Sequence, residues 1–368
     1  MNTPVRIVLL LAVVSAAVAG CFNEPFDQQA MLHSLGTDVI IPSYASFSEQ
    51  TETLLVSARA FCEGATASRL GDLQARWKEA RVHWKRTDVI NFGPYMEQPW
   101  RLGPKIDSWP VRETTVDENL AGEEPLNLES VSALGAASRG LPAMEYLIFD
   151  PAGSGVALAK FEGAEGERRC DYVLALAEDL RGSAEAMVEA WSPEGDDYLG
   201  ALLASGEPGA PFMSVRDASN EIVNRMVFLV ENIMRLKLAR PLGLEAGGDP
   251  QPNEVESRYS DHSIEDILAN LDGLENIYRG RYGDRRGVGV QSWLRWGSPP
   301  IDTEMIAAII RARSAVEAIS EPLSRAVETE PALVQTAYDQ LRDLRNTIGV
   351  DVINALSGSA TFNDTDSD

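Results

Sequence analysis

The sequence predicts an all-α protein, two packed up-down helical bundles with a cleft between them. Three observations lead there. Apolar residues recur at steps of three and four in segment after segment. Runs of strict alternation rich in β-branched residues are scarce. Proline and glycine punctuate the apolar segments rather than interrupting them. In chain order, helical patterns cover 54–67 and then Leu70, Leu73, Trp77, Ala80 and Trp84, with Pro94 beyond the end of that second seam. A short apolar helix is expected within 140–150, where Leu141, Glu145 and Ile148 share one face. A long one follows over 168–191. Ile222, Met226, Leu229, Ile233 and Leu236 form a further stripe that stops at Pro241-Leu242-Gly243. Ile264, Ile267, Leu268, Leu271 and Leu274 make the next, with Asp261 or Ser263 as the candidate cap. Segments 303–322 and 331–348 complete the set. The expected organisation is an N-terminal bundle over 31–205, a C-terminal bundle over 206–350 and an acidic tail over 351–368. Segments 240–252 and 280–300 are expected to be long irregular loops. In the second of these, Trp293 and Trp296 are expected to anchor the loop on the bundle.

The ends carry targeting information. Arg6 precedes an apolar run, and small residues lead to Val18-Ala19-Gly20-Cys21. The run is too short to span a bilayer, so residues 1–20 read as a signal peptide. Small residues directly before Cys21 point to a bacterial lipoprotein, with Cys21 as the lipidated residue and 21–30 as a tether. Phe22 rather than Asp next to it favours the outer membrane. The expected location is the periplasmic side of the cell envelope, lipid-anchored.

Charge narrows the partners. The chain has 32 basic and 56 acidic residues, a net charge of −24, which becomes −25 once Arg6 leaves with the signal. Such a surface repels nucleic acid and anionic headgroups, and the basic aromatic stretch around Trp293 does not overturn that.

The segment Gly140-Leu141-Pro142-Ala143-Met144-Glu145 resembles the signature of the imelysin-like family (peptidase M75 type), in the form with proline where other members carry a Gly-x-His-x-x-Glu histidine. Further pieces follow in order. Trp77 to Trp84 with Phe92-Gly93-Pro94 is similar to the family's aromatic helix and its exit. Lys105-Ile106-Asp107-Ser108-Trp109-Pro110 resembles its Ile-Asp-x-Trp-Pro loop. Lys237 to Gly243 is similar to its Leu-x-x-Pro-Leu-Gly. Glu256-Ser257-Arg258-Tyr259-Ser260 with Ser263, Asp266 and Asn270 resembles its Glu-Ser-x-x-Ser helix start, and Phe362 to Asp366 its acidic tail. The resemblance implies two bundles whose motifs meet in a cleft. It also implies a ligand-binding role linked to metal, specifically iron, acquisition. An iron-uptake receptor or transporter would then be a partner. A peptidase and a partner-binding scaffold are the alternatives. Cys62 and Cys170 match positions that carry cysteine in this form of the family, and in an exported protein they read as a disulfide. Two buried thiols is the other reading.

The residues themselves test the chemistry. A zinc peptidase needs two histidines and a carboxylate on the metal. The three histidines, His33, His83 and His262, fall in separate segments, and the motif histidine is replaced by Pro142, which has no lone pair for a metal. No Gly-x-Ser-x-Gly elbow, phosphate loop or dinucleotide fingerprint is present. No catalytic residue is therefore assigned. The candidate ligand-binding set is Glu145, Asp107, Trp109, Arg81, Glu256, Ser257 and Ser260, which the resemblance brings to the cleft. Carboxylates gathered there would need a proton, a cation such as iron or calcium, or Arg81 as counter-charge. Equally, the set could be a structural polar network. The ending Asn363-Asp364-Thr365-Asp366-Ser367-Asp368 lacks the glycine and bidentate glutamate of a calcium loop and reads as a solvated tail.

Overall fold

The three-and-four spacing becomes helix throughout a computed structural model that describes residues 25–356. The strands among these residues form one two-residue hairpin, Arg281–Tyr282 against Arg285–Arg286. The signal, Cys21, the first tether residues and the acidic ending from 357 onward lie outside the described residues. No described helix is long and apolar enough to cross a membrane.

The first bundle is built on Ile41–Cys62, Ala67–Lys85 and Gly163–Trp191, with the short helix Gly140–Ile148 laid on the last two. Its seam residues Leu70, Leu73, Trp77, Ala80 and Trp84 are all buried, as the spacing requires. Trp77 donates its indole N–H to the Leu141 carbonyl at 3.0 Å, so the buried ring carries no orphaned donor. Thr66 caps the second helix by accepting from the Arg69 N–H. The second bundle is built on Val215–Asn232, Ser263–Arg279, Pro299–Glu317 and Pro331–Asn346. The two meet where Ala67–Lys85 packs on Ser263–Arg279. A side chain at Gly273 would run into the Arg86 carbonyl oxygen, so the close crossing depends on that glycine. The apolar core runs on through both bundles.

Cys62 and Cys170 form a disulfide, with Cα atoms 5.6 Å apart and the two positions 108 apart in the sequence. It ties the end of Ile41–Cys62 to the start of Gly163–Trp191.

Several local expectations are corrected. Helix begins at Gln28, capped by Asp27, within the stretch expected to be tether. Its buried Met31, Leu32 and Leu35 need an apolar surface, and they find it on Tyr198–Leu203 and Val215–Asn232. Segment 280–300 is ordered as the hairpin and the helix Val290–Gly297. Trp293 is buried there, but Trp296 is half exposed and does not anchor the segment. Neither Asp261 nor Ser263 caps its helix. His262 occupies the cap position without a side-chain bond, and the Ser263 hydroxyl turns back to the Glu256 carbonyl. Finally, Leu236 is exposed, because a π-helical stretch, Ile233–Ala239, widens the turns there. The buried residues become Ile233, Met234, Lys237 and Leu238. The stripe has slipped by one position, and a lysine has entered the interior.

Candidate functional site

The site grows from the crossing of the bundles. Ala67–Lys85 presents Trp77, Arg81, Trp84 and Lys85 on its buried face, because residues three and four apart align. The turn Gly103–Ile106 delivers Asp107 at its end. Gly140, which opens the signature helix, sits at φ +70° with its Cα against the Ile106 carbonyl. A Cβ there would clash with that backbone, so glycine alone lets the signature helix seat beside the Asp107 loop.

Arg81 is fully buried and bonds three carboxylates at once. Its Nη1 lies 2.9 Å from Asp107, its Nη2 3.0 Å from Glu256 and its Nε 3.1 Å from Asp266. Lys85 adds contacts of 2.6 Å to Asp107, 2.8 Å to Glu256 and 3.2 Å to Asp88. Lys237 closes the other side, 2.7 Å from Glu256 and 2.6 Å from the Asn270 side-chain oxygen. Asn270 in turn donates to the Lys85 carbonyl at 2.8 Å and to Asp88 at 2.9 Å. Trp84 donates to Asp107 at 3.0 Å, and Ser257 donates to Asp266 at 2.6 Å. Burial pushes these acids up. At Glu256 the cations Lys237, Lys85 and Arg81 more than reverse it and hold the carboxyl well below its ordinary range. At Asp107, Arg81 and Lys85 also win against burial. At Asp266 burial wins, despite Arg81, and its pKa is raised.

Glu145 stands next to this net but outside it. Its Oε1 accepts from the Tyr259 N–H at 3.1 Å, the Ser260 N–H at 2.9 Å and the Ser260 hydroxyl at 2.7 Å. The signature helix of one bundle is thereby bonded to the 257–260 turn of the other. Burial still pushes the carboxyl up to about 7, against the hydrogen bonds from Ser260 and the charge of Arg81.

Glu145 lines a cavity of about 170 Å³ together with Trp109, Pro142, Arg240, Ser257 and Arg258. A second cavity of about 170 Å³ lies on the Asp107, Lys85 and Lys237 side, and Trp109 lines both. The Arg240 guanidinium lies 5.8 Å from the Trp109 ring. The first cavity shares Asn253, Arg258 and Tyr259 with an open cleft of about 750 Å³.

The seven residues picked from the sequence therefore lie around one inter-bundle region. Arg81, Asp107, Glu256 and Ser257 belong to the ionic net, Glu145 and Ser260 form the adjoining bond, and Trp109 lines both cavities. Glu145 has no bond to Asp107 or Glu256 among the described contacts. Sequence reasoning missed Lys85, Asp88 and Lys237, and it did not give Asp266 a role. Lys85 was findable, since it follows Arg81 by four on the Trp77 seam. Lys237 was not, because only the π-helical stretch turns it inward.

The metal expectation changes with this geometry. The carboxylates that would have gathered a cation are interleaved with Arg81, Lys85 and Lys237. Among the described residues no group of three or more His, Cys, Asp or Glu is arranged to hold a metal ion. His83 bonds Ser46 at 2.9 Å, while His262 packs against Trp77 with its pKa lowered to about 4 by burial.

Known proteins share this architecture. A protein of Synechococcus elongatus described as "Iron-regulated protein A" is 26% identical over 316 residues, covering 84% of this chain and 82% of its own. The crystal structure of a putative iron-regulated protein A precursor from Parabacteroides distasonis matches with TM-score 0.77 at 19% identity, covering 89% of this chain and 95% of that one. An imelysin-like protein from Psychrobacter arcticum matches with TM-score 0.71 at 18% identity, covering 91% and 97%. The model of the imelysin family, peptidase M75, matches residues 40–348, which takes in both bundles and every residue of the site, and the chain belongs to that family.

Proposed function

We propose that this protein is a lipid-anchored, ligand-binding component on the periplasmic side of the envelope, at the outer membrane, serving iron acquisition. Its ligand would enter the cavity at Glu145, and an iron-uptake receptor or transporter would be its partner. The observation that carries the reading is Glu145 itself. It is a buried carboxyl whose ionised form is disfavoured, held in place on Oε1 and set on the wall of a cavity that opens toward a larger cleft. A residue that costs stability when charged, in a cleft, is a functional-site candidate. The iron link draws on the names of the relatives, which speak of regulation by iron. A peptidase is favoured less. Pro142 offers no metal ligand, His262 is held neutral, and the ionic net leaves Asp107 and Glu256 committed to cations.

Glu145→Gln tests the site. Gln keeps the shape and an acceptor for the three donors, but removes the charge. If the ligand at Glu145 is a cation, ferrous, ferric or calcium ions titrated singly by calorimetry should bind the wild type more tightly as pH rises from 6 to 8, because the proton leaves near 7. The variant should bind at least about tenfold more weakly, a loss of about 1.4 kcal/mol. The stability sign is opposite. The folded pKa lies above the unfolded value of 4.5, so ionisation opposes folding, and stability falls as pH rises through 4.5 to about 7. At pH 8 the variant should gain stability, on the order of up to 3 kcal/mol. Equal metal affinity in both proteins would retire the site, and casein turnover dependent on added metal would favour the peptidase.

The anchor has its own test. Cys21→Ser should move the protein from the membrane pellet to the soluble fraction, since a two-chain anchor is what holds it. Wild-type protein found wholly soluble after lysis would end the lipoprotein reading.

A further inference from the structure

We infer that one end of the molecule, marked by Trp296 and Met213, rests on the bilayer surface; this builds on the lipid-anchor reading. The first described residues fix where the chain emerges. Phe26 stacks on Trp293 with ring centroids 6.1 Å apart and planes within 8°. Cys21 is five residues earlier, so a lipid on it lies at most about 18 Å away along the chain. Trp296 follows Trp293 by one turn of the same helix, yet it is 50% exposed.

Met213 belongs to the same end through a chain of contacts. Gln29, in the first helix, donates to the Leu203 carbonyl at 3.2 Å, where the 204–214 loop begins. That loop is closed by the Gly206 N–H on the Phe212 carbonyl at 3.0 Å, with Phe212 packed on the core. Met213, the next residue, is held out at 89% exposure. From the far side of the loop, Arg216 donates to the Leu356 carbonyl at 3.3 Å. A Cβ on Gly297, next to Trp296, would lie 3.9 Å from the Ala355 carbonyl. Phe26, Met213 and Trp296 are thus joined around one end.

The occupant is a lipid surface rather than a protein because the anchor already puts that end within reach of one. The net charge of −24 rules out attraction to anionic headgroups. Contact must therefore come from an aromatic ring and a flexible apolar chain, and tryptophan favours the headgroup level. Alone, two side chains would bind weakly. The anchor supplies the high local concentration that makes weak docking effective. Docking would fix how the Glu145 cleft faces the periplasm.

The experiment uses the acylated full chain in vesicles of brominated phosphatidylcholine, which quenches tryptophan within the bilayer. The wild type should be quenched, and Trp296→Phe should lose at least half of the quenched amplitude. Met213→Asp, an exposed change that leaves the fold alone, should also reduce quenching. Equal quenching in wild type and Trp296→Phe, with both chains vesicle-bound, would overturn docking but leave the anchor intact. A wild type that stays in the supernatant would overturn the anchor reading and docking with it.

Discussion

Replacing Arg81 by methionine is expected to cost about 3–5 kcal/mol at pH 8, the loss typical of removing one partner from a buried ion cluster. The cluster sets three cations, Arg81, Lys85 and Lys237, against four carboxylates, Asp88, Asp107, Glu256 and Asp266. Losing Arg81 takes its formal charge from −1 to −2 in the interior. The loss is unevenly shared. Asp107 keeps Lys85 and Trp84, and Glu256 keeps Lys85 and Lys237. Among the described residues Asp266 keeps one hydrogen bond, from the Ser257 hydroxyl, and the more distant charges of Lys85 and Lys237. Its pKa is already raised by burial, and without Arg81 it should rise further and take up a proton. An acid whose folded pKa is raised destabilises as pH rises through that pKa. The deficit should therefore shrink as pH is lowered from 8 to 5, and Arg81→Met with Asp266→Asn should recover part of it. Urea denaturation of the three proteins at both pH values decides the matter. A deficit under 1 kcal/mol at pH 8, or one that grows on acidification, would show that the net does not hold the bundles together.

The same cluster shows what a sequence can and cannot disclose. The seam from Leu70 to Trp84 was legible because a regular helix maps steps of three and four onto one face. Arg81 was legible for the same reason, lying between two tryptophans on that face. Glu145 stood out as a charge on an apolar stripe. What remained hidden depended on local departures from regularity. The π-helical stretch Ile233–Ala239 turned Lys237 inward and Leu236 outward, against the periodic reading. Ser257 takes φ +51°, a conformation rare for serine, which its type could not announce. The counter-charges also come from far apart in the chain, since Arg81 and Asp266 are 185 residues apart. Sequence pattern sees neighbours on one helix, and the partner across a crossing stays invisible until the crossing is built.

Removing the disulfide should be comparably costly, and its signature should lie in the unfolded state. The bridge closes a loop of 108 residues, for which chain entropy predicts about 4–5 kcal/mol at 25 °C. The folded state has little reason to change. Phe61, one residue before Cys62, packs edge-on against Phe161 at 4.7 Å, and Ala58 and Phe61 remain buried whatever the sulfurs do. A Cys62→Ser, Cys170→Ser double variant should therefore fold to the same helical content. Its unfolded chain, free of the crosslink, should expand and expose more surface. In urea the midpoint should fall while the slope m rises, because m follows the surface exposed on unfolding. The rise in m is what separates this account from one in which the bridge acts by holding the two helices together when folded. Mass spectrometry of an unreduced digest should first recover the crosslinked Cys62 and Cys170 peptides. A double variant with unchanged m and a loss under 1 kcal/mol would mean that the long loop is already compact when unfolded, and that the bridge contributes little to stability.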